Sequence, residues 1–80
     1  MVVRDTVREC ETLAERLAAA ERRLVDAQTH VRRQRELIET LEREGLSVDA
    51  ALITLMNLHT LVRLRLENRD RLRRELNKAS

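Results

Sequence analysis

A seven-residue beat constrains this chain more than any other feature. Val3, Cys10, Leu17, Leu24, Val31 and Ile38 are all apolar, without one miss. A repeat that regular keeps one seam of a long helix against a partner helix. Proline, which would kink such a helix, is absent from the chain. With Val3 as position a, the d positions are Thr6, Leu13, Ala20, Ala27, Gln34 and Leu41. Alanines in the middle of that set let two helix axes approach closely. The outer positions are mostly Arg, Asp, Glu and Thr, the pattern of a solvated face.

The first helix has a legible end. In Leu41-Glu42-Arg43-Glu44-Gly45-Leu46, Gly45 suits the left-handed position after a helix, and Leu46 is placed to fold back on Leu41 in a Schellman cap. Ser47 fits as the N-cap of a second helix, with Asp49 in the first turn against the helix dipole. Helix 1 is therefore expected over about 3–44, a turn over 45–47 and helix 2 over about 48–77, one domain spanning 1–80. So short a connection forces antiparallel neighbours, with arms of roughly 63 and 45 Å at 1.5 Å per residue. The expected fold class is all-α, an antiparallel two-helix coiled-coil hairpin.

Folding back about residues 46 and 47 sets Ile38 near Leu55, Val31 near Val62, Ala27 near Leu66 and Leu24 near Arg69. The expected hairpin seam is Leu17, Leu24, Val31 and Ile38 against Leu55, Leu58, Val62 and Leu66, with Leu52 also able to face helix 1. The shorter second arm ends before the start of the first, so Val3, Val7 and Cys10 have no partner inside the hairpin. Helix 2 also carries more apolar residues than one stripe can hold, leaving Ile53, Leu61 and Leu64 on another side. Exposing each of those three forgoes about 1.5–3 kcal/mol relative to burial. A second copy supplies cover, so the self-association interface is expected at Val3, Val7, Cys10, Ile53, Leu61 and Leu64, in a homodimer forming a four-helix bundle.

Composition narrows the function classes. The chain has 80 residues, 42% hydrophobic and 38% charged, with one glycine and no Phe, Tyr or Trp, a coiled-coil profile without the aromatics that usually line ligand pockets. Its net charge is only +2, so the chain as a whole has no strong pull toward nucleic acid or anionic membrane. The excess of cations lies in the second half, where Arg63, Arg65, Arg69, Arg71, Arg73, Arg74 and Lys78 face only four acidic groups. Arg63, Arg69, Arg73 and Arg74 are the candidate phosphate contacts. Without aromatics to stack bases, any such binding is driven by phosphates and sensitive to salt.

His30 and His59 are the only histidines. A structural zinc site needs about four ligands and a di-metal bundle shows Glu-x-x-His repeats; neither pattern is present, so no metal is expected. Gln34 and His59 read instead as a polar layer that fixes register. The lone Cys10 cannot close an internal disulfide and reads as a small buried hydrophobe. No phosphate-binding glycine loop and no catalytic signature are found, so neither enzyme activity nor a cofactor is expected. The start lacks the apolar core of a signal peptide, and Val48 to Leu66 is interrupted by Asp49, Asn57, His59, Arg63 and Arg65, which is unlike a membrane span. The expectation is a soluble, cytoplasmic protein.

The run Val31-Arg-Arg-Gln-Arg-Glu-Leu-Ile38, then Leu41, Gly45, the leucine-rich block and Asn68-Arg-Asp-Arg-Leu-Arg-Arg-Glu-Leu76 resembles a group of short uncharacterised bacterial helical-hairpin proteins. They share R-Q-R-E-L, a following glycine, and a closing R-D-R-L with E-L. The resemblance covers about residues 22–76 and implies no known activity. The functional expectation is a non-enzymatic protein-protein interaction or oligomerisation module. The alternative is a nucleic-acid-associated protein using the Arg-rich second half of helix 2.

Overall fold

The computed structural model describes the backbone of residues 2–79 and the side chains of residues 12–79. Helix α1 spans Val2–Arg43 and helix α2 spans Asp49–Ala79. The two pack together as an antiparallel hairpin with no strand among the described residues. The rod measures 66 × 14 × 13 Å, so its length is that of α1 alone. With 42 residues against 31, α1 runs roughly 16 Å past the end of α2.

The reversal follows from one glycine. Gly45 takes a φ of 71°, the left-handed region in which a side chain is strained. The Leu46 N–H then donates to the Leu41 carbonyl at 2.9 Å and the Gly45 N–H to the Glu42 carbonyl at 3.1 Å, the paired bonds of a Schellman motif. Leu46 itself remains exposed. On the far side of the turn, the Val48 carbonyl accepts the first intrahelical bond of α2 from the Leu52 N–H at 2.8 Å. Ser47 thus stands one residue outside the cap, where its Oγ accepts a long 3.4 Å bond from the Asp49 N–H.

A Cβ built on Gly45 would meet no atom within 4 Å, so the backbone alone sets the cost of a substitution there. Gly45→Ala is expected to destabilise the hairpin by about 1–2 kcal/mol and Gly45→Asn by less, because asparagine tolerates the left-handed region. Urea midpoints of the two variants check this; an alanine variant as stable as the parent contradicts it.

The seam of α1 runs through Leu13, Leu17, Ala20, Leu24, Ala27, Val31, Gln34, Ile38 and Leu41, and that of α2 through Val48, Ala51, Leu55, Leu58, Val62, Arg65, Arg69, Leu72 and Leu76. Every one of these residues is buried or half-buried, and the steps alternate strictly between three and four, as a heptad seam requires. The buried positions are Ala20, Leu24, Ala27, Val31 and Ile38 from α1 and Leu72 from α2. Two arginines occupy seam positions in α2 where leucine would be usual. Arg65 shares a groove with Ala27, so a small residue on one helix makes room for the long stem of an arginine on the other, whose guanidinium reaches water.

Gln34 provides the one polar tie near the turn. Half-buried, it donates from Nε2 to the Ala51 carbonyl at 3.0 Å across the two arms. His59 does not join it in a polar layer, because His59 is exposed. At the open end, Arg73 Nη2 meets Glu21 Oε1 at 3.4 Å. Both side chains are about half exposed, so this bridge contributes at most about 1 kcal/mol.

Candidate functional site

Two surface features of the hairpin are candidates for interaction, and they lie on different sides of α2. The first is an apolar stripe on the side opposite the seam. At 100° per residue, positions 53, 56, 60 and 64 fall within an arc of about 80°. Ile53 is 61% exposed, Met56 69% and Leu64 55%. Thr60 completes the row: its hydroxyl donates to the Met56 carbonyl at 3.2 Å, which satisfies the polar atom locally. Leu52 lies exposed beside the stripe. Such a row of large apolar side chains facing water marks an interaction surface more often than a scattered leucine does.

Of the residues expected to mediate self-association, Ile53 and Leu64 stand in this stripe. Leu61 is half-buried at its edge, where it lines a groove with Ala27 and His30. The side chains of Val3, Val7 and Cys10 lie outside the described residues. Met56, the most exposed large apolar residue named on either helix, escaped the sequence reading because the crowded leucines of α2 obscured which stripe was left over. Its spacing of three from Ile53 and eight from Leu64 was the available signal.

The second feature is a pair of shallow depressions between the arms, of about 310 and 210 Å³, joined at Arg23. The first is walled by Arg16, Ala19, Arg23, Asn68 and Leu72. The second is walled by Arg23, Asp26, Ala27, His30, Leu61 and Arg65. Arg16, Arg23 and His30 follow one another at seven-residue intervals along α1, so one edge of the groove is a row of nitrogen-bearing side chains about 10 Å apart. Asp26 is the sole carboxylate in either wall.

The arginines singled out in the sequence are differently engaged. Arg69 donates from Nε and Nη2 to Asp70 Oδ1 at 3.1 and 2.9 Å, and Arg73 pairs with Glu21. Arg63 and Arg74 are exposed. Position along the chain could not distinguish these from the groove arginines, since Arg16 and Arg23 belong to the half with the more even charge balance.

The two histidines are not brought together. His30 faces Leu61 and Arg65 across the groove, whereas His59, two residues before Leu61, points about 160° away around α2. Among the described residues no group of three or more His, Cys, Asp or Glu side chains is placed to hold a metal ion. Nor is any described helix long and apolar enough to cross a membrane. No family model matches the chain, and neither a curated protein nor a solved structure shows significant similarity to it.

Proposed function

We propose that this chain is a non-enzymatic interaction module, a helical hairpin that self-associates along the outer stripe of α2. The observation that carries the reading is the exposure of Ile53, Met56 and Leu64 in one row, on a helix whose opposite side is already spent on α1. Water is an unfavourable neighbour for such a row, by about 1.5–3 kcal/mol per side chain.

The spacing favours a second copy as the occupant. Placing two α2 helices antiparallel about an axis between residues 58 and 59 sets Ile53 against Leu64 of the second copy at one end of the contact and Leu64 against Ile53 of the second copy at the other. The stripe is thus self-complementary under a two-fold rotation, the requirement of an isologous dimer. The resulting assembly is a four-helix bundle with α2 at its centre. Light scattering coupled to size exclusion tests the proposal: a particle of twice the 9.4 kDa chain mass at micromolar concentration is expected, and a folded monomer at that concentration rules it out.

A further inference from the structure

We infer that the groove between the arms, walled by Arg16, Arg23 and Arg65, holds the phosphodiester backbone of a nucleic acid without reading its bases. This inference is independent of the self-association reading, because the groove lies on a different side of α2 from the stripe. It rests on three observations.

First, none of these three guanidinium groups is engaged by a carboxylate among the described residues, in contrast to Arg69 and Arg73. In the groove walls Asp26 is the one carboxylate beside three arginines. Second, the three border one groove. Arg16 and Arg23 sit one heptad apart on the same edge of α1, about 10 Å along the axis, while half-buried Arg65 stands on the α2 wall beside Arg23. A guanidinium fork matches phosphate oxygens in two parallel hydrogen bonds, and forks at two levels of a groove fit a polymer whose phosphates recur along its length. Third, the floor is Ala19, Ala27, Leu61 and Leu72, with no aromatic side chain in the whole sequence to stack a base. Base stacking therefore contributes nothing, and the phosphates are the groups left for the arginine forks.

The test is fluorescence anisotropy with a labelled 20-base-pair DNA duplex. Three phosphate contacts predict that affinity falls about 40-fold between 50 and 200 mM salt, and two contacts about 12-fold. The intact protein should show the first dependence and Arg23→Gln the second. Arg32→Gln, which removes the same charge from an exposed position 180° around α1 from Arg23, should keep the first. Circular dichroism of both variants shows whether the helices are retained, and the exposed Arg32 site supplies a folded comparison in any case. No binding at 50 mM salt overturns the inference. So does an equal change in both variants, which would trace binding to net charge. Inorganic tripolyphosphate serves as the competitor: displacement of the duplex only at a large excess of phosphate supports the assignment, and binding of tripolyphosphate as tight as that of the duplex overturns it in favour of a small-anion site.

Discussion

Shortening Leu72 to alanine is expected to destabilise the hairpin by about 2–5 kcal/mol. Leu72 is only 3% exposed and is the one buried residue of α2. It lines a depression with Arg16, Ala19, Arg23 and Asn68, in the half of the rod where two of the α2 seam positions, Arg65 and Arg69, are arginines. The small alanines of α1 cannot expand into the space its truncation leaves. A chain of this size has a total stability of about 4–12 kcal/mol, so the loss is a large share of the whole. Urea unfolding followed by circular dichroism, at matched protein concentration, provides the measurement. Arg74→Ala, at an exposed site outside the seam, should shift stability by no more than about 0.5 kcal/mol. Equal shifts for the two substitutions would show that Leu72 does not close the open end.

Placing glutamates at Ile53 and Leu64 together is expected to abolish self-association while leaving the hairpin folded. Both side chains project from the side of α2 opposite its seam, so neither contributes to packing against α1. In a two-fold interface each substitution occurs twice, which removes four apolar side chains and sets four carboxylates in their place. At about 1.5 kcal/mol or more for each lost side chain, about 6 kcal/mol in all, the dimer weakens by roughly 20,000-fold or more. Light scattering should report the monomer mass, with helical circular dichroism unchanged. A variant that still forms the dimer would move the interface to another face.

The heptads of α1 reveal their own burial. Positions a and d from Leu13 to Leu41 are the residues the structure covers, because an uninterrupted apolar period admits one seam only. The turn is equally readable, since one glycine in the chain leaves one place for a left-handed residue. The seam of α2 is harder to see. Its line passes through Arg65 and Arg69, and an arginine counted by its charge looks like surface even when its methylene stem is packed. Leu66, which is half-buried, stands for the seam in the sequence reading, and Leu72, beyond two arginines, has no assignment there. Leu52 was assigned toward α1 and is exposed instead, for the same reason: with so many leucines in one turn after another, apolar period alone does not choose among three sides.

The groove was illegible for a different cause. Arg16, Arg23 and Arg65 come together only through the antiparallel fold, and each has carboxylates nearby in sequence that suggest neutralisation. Of those carboxylates only Asp26 stands in the groove walls. His30 and His59 illustrate the converse, close in a simple fold-back drawing yet set on different flanks once the turn of each helix is counted.

The groove and the apolar stripe are both built on α2 but turn away from each other by about 100°. Joining two hairpins along their stripes consequently duplicates the groove rather than covering it. In the proposed dimer, a polymer captured by one copy would meet the other as a tethered neighbour, at a local concentration far above its bulk value, and would detach only when both grips open together. Avidity of this kind rewards length in the ligand, so short oligonucleotides should be released far sooner than ones able to bridge the pair.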